Sequence, residues 1–191
     1  MGSPTYQRSL QDAIAVYHSL SALEAQVQTA GRICTDALAA GRKLLICGNG
    51  GSAAEAQHLA GELMGRYKDD RRPLPAVALT ADSALVTCVG NDYCFEEVFS
   101  RQLRALAQPG DVLVVFTTSG NSPNILMALE TAREMGVASI AFLGRDGGSA
   151  KELTDCSLVV RHPETARAQE AHQFLMHGLM DEIEAWLRDR G

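Results

Sequence analysis

Two short apolar runs decide what this chain can become. Leu44-Leu45-Ile46-Cys47 and Val112-Leu113-Val114-Val115-Phe116 contain no polar residue to turn toward water, so each reads as a strand covered on both faces. Each run breaks off into a turn, Gly48-Asn49-Gly50-Gly51-Ser52 in the first case and Thr117-Thr118-Ser119-Gly120-Asn121-Ser122 in the second. Each turn then opens a helix, the second with Pro123 in its first turn. Glycine permits positive φ and brings backbone N–H groups close to a ligand, and Ser52 is placed to cap its helix. Amides, hydroxyls and a helix dipole converging in this way suit an anion. One capping turn needs a single hydroxyl, whereas Thr117, Thr118, Ser119 and Ser122 supply four, which favours phosphate.

The remainder of the chain repeats the alternation. Residues 5–40 keep a helical apolar stripe through Leu10, Ile14, Tyr17, Leu20, Leu23, Val27, Ile33, Ala37 and Leu38, as two helices or one with a break, stopped by Gly41. That stripe covers its own sheet or packs partly against another subunit. A charged loop, KDDRRPLP, leaves Arg71 or Arg72 able to reach a neighbouring subunit. A strand at 76–79 follows, then a helix over 80–89 capped near Thr80 or Asp82 and broken by Gly90-Asn91-Asp92-Tyr93. An amphipathic helix from Phe95 ends at Pro109-Gly110. Further strands are expected at 137–143 and 157–160, with a short helix through Leu153 between them. A long last helix, capped by Glu164 or Thr165, runs to about residue 188. Strands alternating with helices imply an α/β fold with a right-handed parallel sheet covered on both faces, ligands binding at the carboxyl ends of the strands. One domain, 1–191, accounts for the length.

Several residues carry chemistry on more than one reading. His58 and Glu62 are four apart, on one face of a helix, which fits metal ligands and also an ordinary surface pair. Gln169 and His177 lie about 80° apart around the last helix and can border one concave site, while His172 is turned about 60° the other way. A helix with Phe174, Leu175, Leu179, Ile183 and Trp186 also carries histidines for no catalytic reason. Gly48-x-Gly50-x-x-Ala53 matches a dinucleotide fingerprint, but the acidic residues about 20 positions on, Asp69 and Asp70, fall in a polar loop. Neither turn is a P-loop, so nucleotide hydrolysis is not expected.

Charge and cysteine usage narrow the setting. A net charge of −6 argues against a nucleic-acid or anionic-membrane surface, and no apolar run approaches membrane-spanning length. Cys34, Cys47, Cys88, Cys94 and Cys156 form no C-x-x-C pair and read as reduced core residues. The first twelve residues contain no apolar core of a secretion signal. A cytoplasmic location is therefore expected.

Taken together, the stretches CGNGGSAAEAQHLAGEL, VGNDYCFEEVFSRQL, FTTSGNSPNIL, LGRDGG and AQEAHQFLMH resemble the sugar isomerase (SIS) domain family, specifically its phosphoheptose isomerases. The resemblance covers nearly the whole chain. It implies a single SIS domain with a five-stranded parallel sheet in a three-layer sandwich, preceded by the helical segment 5–40 in the interface of a homotetramer. It implies conversion of sedoheptulose 7-phosphate to D-glycero-D-manno-heptose 7-phosphate, the first step toward nucleotide-heptose precursors, with one zinc ion per subunit. Carried over by position, the zinc ligands are His58, Glu62, Gln169 and His177. The substrate contacts are Asn49, Gly50, Gly51, Ser52, Glu62, Asn91, Asp92, Thr117, Thr118, Ser119, Ser122 and Gln169. Thr117 departs from the serine usual at the head of the phosphate loop; its methyl restricts χ1.

The implied chemistry moves one proton between C1 and C2 through an enediol. A single carboxylate can make both transfers, and Glu62 is the candidate, with His177 handling protons on oxygen or opening the ring. A non-catalytic SIS protein that senses a sugar phosphate, or binds a replication initiator as one relative does, is the competing class. That relative lacks the carboxylate corresponding to Glu62, and Glu62, Gln169 and His177 are all present here. An arabinose 5-phosphate isomerase is a second alternative, but the added regulatory domains such proteins often carry have no room here.

Overall fold

The computed structural model describes residues 4–189. Its two N-terminal helices, α1 (Pro4–Ser19) and α2 (Glu24–Ala39), are joined by one 3₁₀ turn, Leu20–Leu23. The core then follows as β1 (Leu44–Gly48), α3 (Gly51–Met64), β2 (Ala76–Ala78), α4 (Ser83–Asp92), α5 (Ser100–Leu106), β3 (Val112–Thr117), α6 (Pro123–Glu134), β4 (Ala138–Gly144), α7 (Ala150–Leu153), β5 (Cys156–Val160) and α8 (Thr165–Arg188). All five strands are parallel in the order β2-β1-β3-β4-β5.

Alternation along each strand builds two cores. Leu44, Ile46, Val112, Val114, Phe116, Ile140 and Phe142 face α2, α3 and α8, while Leu45, Cys47, Leu113, Val115, Ala141 and Leu143 face α5, α6 and α7. Every residue of β1 and β3 is buried, as their unbroken apolar runs require. Phe116 and Phe142 stack with centroids 4.6 Å apart on the first face. Fully burying such a side chain contributes roughly 1.5–3 kcal/mol. At the amino ends, Asp111 accepts from the Lys43 backbone N–H at 3.0 Å, from Lys43 Nζ at 2.6 Å and from the Gln108 N–H at 2.8 Å, fixing β1 beside β3.

The strand order matters for function. After β1 the chain crosses over one face to β2, then returns over the other to β3 on the far side of β1. The loops leaving β1 and β3 therefore diverge, opening a crevice at their carboxyl ends.

Four expectations are corrected. The helix after β1 starts at Gly51 with Gly50 as its N-cap at φ +57, so Ser52 lies inside its first turn instead of capping it. The helix after β2 is capped by Asp82, which accepts from the Leu85 N–H at 2.9 Å, and continues through Gly90, Asn91 and Asp92 to a C-cap at Tyr93. The amphipathic segment from Phe95 is a 3₁₀ turn, Phe95–Glu97, then α5, not one helix. All five cysteines are free, but only Cys34, Cys47 and Cys156 are buried, with Cys88 exposed and Cys94 partly so. Among the described residues no helix is long and apolar enough to cross a membrane.

Candidate active site

The crevice holds a cleft of about 310 Å³ lined by Asn49, Gly50, Gly51 and Ser52 from the first loop, Phe116 through Ser119 and Ser122 from the second, and Thr165 and Gln169 from α8. The amino ends of α3 and α6 both open onto it, each presenting the positive end of a helix dipole. Ser122, the N-cap of α6, makes no side-chain capping bond and so keeps its hydroxyl for a ligand.

Backbone contacts shape this lining. Gly120 has φ +66, and a Cβ there would lie 1.9 Å from the carbonyl oxygen of Gly147. The β3 loop is thus pressed directly onto the β4 loop, and only glycine fits. Gly51 brings α3 against α8: a Cβ there would meet the Gln169 amide at 2.3 Å. Thr117 is buried, and its Oγ1 accepts from the Gly120 N–H at 3.2 Å, closing the turn. Asn49, which lines the cleft, and buried Asn124 exchange amide hydrogen bonds of 2.9 and 2.8 Å. Asn124 escaped sequence reasoning because nothing local marks a partner 75 residues away.

A second group of residues lies farther along α3 and α8, which run side by side. His58 Nε2 contacts Glu62 Oε1 at 2.8 Å, and the rings of His58 and His177 meet edge to face at 5.3 Å. Ligand atoms of His58, Glu62 and His177 all lie within 4.8 Å of one another. Tyr67 stacks on His177, centroids 5.4 Å apart. Burial first, and the neighbouring His58 second, push the His177 pKa below its ordinary value. Beneath the cluster, Arg71 donates to the backbone oxygens of Glu62 at 2.6 Å and Leu63 at 2.9 Å and pairs with buried Glu184. Arg71 is therefore committed within its own chain, and of the two arginines expected to reach outward only the exposed Arg72 is placed to do so.

The structure separates some residues that the sequence grouped. Gln169 faces Gly51 in the cleft, whereas Gln173, one turn on, contacts both imidazoles of the cluster. Asn91 and Asp92 are exposed at the end of α4, hydrogen-bonded to each other, and neither lines the cleft. His172 does face elsewhere: it is fully buried beneath Phe116 and Phe142, with Nδ1 3.9 Å from Glu55 Oε2. Asp69 and Asp70 precede β2 instead of closing it, which removes the dinucleotide reading.

Comparison with known proteins agrees with this geometry. Residues 6–144 match the model of the SIS domain. The phosphoheptose isomerase of Geobacter sulfurreducens is 52% identical over 171 residues, covering 86% of this chain and 89% of that one. That of Campylobacter concisus is 50% identical over 162 residues, covering 85% and 86%. The solved structure of phosphoheptose isomerase GmhA from Neisseria gonorrhoeae superposes with a TM-score of 0.90 at 41% identity, covering 95% of this chain and 97% of that one.

Proposed function

The chain belongs to the SIS domain family, and within it to the phosphoheptose isomerases, and from that membership we propose that it converts sedoheptulose 7-phosphate to D-glycero-D-manno-heptose 7-phosphate at the site just described. The observation that carries the reading is the alignment of two subsites along one pair of helices. An anion cleft at the starts of α3 and α8 is followed, seven residues along α3, by the His58–Glu62–His177 cluster. Seven helical residues span about 10 Å. That is comparable to an extended seven-carbon chain with phosphate at one end and its reacting carbons at the other.

The phosphate would sit among Thr117, Thr118, Ser119 and Ser122, with Ser52 and the Asn49-Gly50-Gly51 backbone opposite and Gln169 beside it. Holding the unreactive end there places C1 and C2 near the cluster and concentrates binding energy away from the chemistry. Glu62 takes the proton from C1 to give the enediol, then returns it to C2, leaving the aldehyde at C1. Arg71 fixes the backbone at Glu62 from below, so the carboxylate is presented from a rigid turn. His177, whose pKa burial and His58 push below its ordinary value, can accept and return the proton that moves between the two oxygens.

Two imidazoles and a carboxylate within 4.8 Å form a donor set that fits zinc. His58, Glu62 and His177 would hold one zinc ion per subunit; Gln169 would join them by turning away from Gly51. The ion would act as a Lewis acid on the sugar oxygens. Asn91 and Asp92 are proposed contacts of sugar hydroxyls, and their exposed place outside the cleft suits a homotetramer whose subunits complete one another's sites. The presence of Glu62 in the cluster favours the enzyme over a non-catalytic SIS protein. The test is to incubate zinc-loaded protein with sedoheptulose 7-phosphate and follow it by NMR. An aldoheptose 7-phosphate should appear, and its absence would refute the reading.

A further inference from the structure

Thr165 stands on the α8 wall of the cleft, and its hydroxyl has no hydrogen-bond partner among the described residues. The sequence offers Glu164 or Thr165 as the cap of α8. Glu164 takes that place, and Thr165 is the first residue inside the helix. This position accounts for the free hydroxyl. A threonine deeper in a helix can bond the carbonyl three or four residues back, but at the first position those carbonyls lie outside the helix. Glu164 makes no side-chain capping bond, which leaves the first N–H groups of α8 uncapped as well.

Two contacts hold this first turn in place. Gln169, one turn on and near the same face, is set so closely against Gly51 that a Cβ there would come within 2.3 Å of its amide. Arg167, about 200° around the helix from Thr165, is buried and donates to the backbone oxygen of Ser9 in α1 at 2.7 Å. The turn is thus braced from behind by α1 and presents Thr165 to the cleft. Position along α8 decides which part of a substrate meets it. Gln169 lies about 12 Å before His177 along the helix axis, and Thr165 about 18 Å before it. Thr165 is therefore on the far side of Gln169 from the reacting carbons, at the phosphate end. A phosphate monoester presents three terminal oxygens, and the loops after β1 and β3 supply two walls around them. We propose that Thr165 is a further substrate-binding residue: it donates its hydroxyl hydrogen to the phosphate from the α8 side, so that the clamp closes from three elements. The inference rests on the phosphate cleft of the function proposed above.

The test compares Thr165→Val, which keeps the shape and loses the hydroxyl, with Thr165→Ser, which restores the hydroxyl. Zinc-loaded proteins are assayed with sedoheptulose 7-phosphate, and inorganic phosphate is titrated into each by calorimetry. Thr165→Val should raise KM and weaken inorganic phosphate by about 10-fold each, the low end for a hydrogen bond to a charged group, as suits an exposed position. Turnover at saturation should change less, and Thr165→Ser should match the wild type in both measurements. Unchanged KM and phosphate affinity in Thr165→Val, or a loss that Thr165→Ser does not repair, would overturn the inference and leave the isomerase reading standing. A raised KM with unchanged phosphate affinity would put the hydroxyl on the sugar and overturn it as well. A wild type that turns over no sugar phosphate would sink the isomerase reading, and the phosphate titration would still decide on Thr165. A wild type that binds no inorganic phosphate would overturn the cleft and this inference together.

Discussion

At the scale of single residues, two glutamates on α3 have opposite surroundings. Glu62 lies at the cluster, one oxygen on His58 and its backbone held by Arg71. Glu62→Gln keeps the shape and an oxygen for a metal but removes the basicity. Turnover should fall about 10²- to 10⁴-fold while sugar phosphate still binds. Solvent deuterium should enter the substrate carbon with the wild type and not with the variant; near-normal turnover in the zinc-loaded variant would mean another base. Glu55, two turns earlier, is 7% exposed, and its Oε2 has no hydrogen-bond partner among the described residues. Burial raises its pKa from 4.5 to about 7, and burial lowers that of neighbouring His172 from 6.5 to about 4. A carboxyl with a raised folded pKa stabilises fully below its unfolded value and loses that contribution as pH climbs through the folded one. The cost of burying Glu55 therefore builds as pH rises from about 4.5 to 7 and is fully present above that, and the cost of His172, shifted downward, builds as pH falls from 6.5 to 4. Glu55→Gln should gain stability relative to the wild type between pH 4.5 and 8, by up to about 3 kcal/mol. Urea unfolding at the two pH values measures it, and a difference that does not grow with pH contradicts the assignment.

At the scale of elements, the β3–α6 loop is held by neighbours as much as by its own residues. The Gly120 carbonyl accepts from the Ala150 N–H at 2.9 Å, and Asn121 Oδ1 accepts from the Ser149 N–H at 3.0 Å. Gly120→Ala puts a side chain into left-handed backbone and into the Gly147 carbonyl, at a cost of roughly 1–3 kcal/mol in strain. The loop would shift, so KM for the sugar phosphate should rise several-fold with kcat at saturation less affected. An unchanged KM would show that this contact does not shape the phosphate cleft. Such contacts mark the limit of what was legible in the sequence. The runs Leu44–Cys47 and Val112–Phe116 announced their strands because a strand buried on both faces has no polar position, and the hydroxyl-rich second turn does line a cleft. Helix starts were harder. Ser52 is a good cap by type, yet Gly50 takes the place because its positive φ begins the helix two residues earlier. Gly90 is tolerated inside the last turn of α4, where one glycine costs only about 1 kcal/mol. Asn124 left no local trace, since its partner lies 75 residues away, and of the two partners of Gln173 only His177 is local, His58 lying 115 residues away.

At the scale of the whole molecule, an apolar band on α1 and α8 stays uncovered among the described residues. Leu10, Ile14 and Tyr17 of α1 are 43%, 49% and 43% exposed, and Phe174 of α8, edge-on to Tyr17, is 52% exposed. Contiguous apolar surface of this kind marks an interaction site. A Leu10→Glu, Ile14→Glu double variant should shift a tetramer toward smaller species in sedimentation equilibrium, with activity falling alongside. A wild type that is monomeric and fully active at micromolar concentration would refute the shared-site assembly. The placement of α8 has a further consequence, one of time. Its residues Gln169, Gln173 and His177 face partners on α3 that precede them by more than a hundred positions. During synthesis the β1–α3 unit must therefore wait, its Leu59 and Leu63 without their final cover, until α8 has left the ribosome as well. Such long-range closure slows folding. A nascent chain halted before residue 165 can have its phosphate loops in place and still have no site at which to isomerise a sugar.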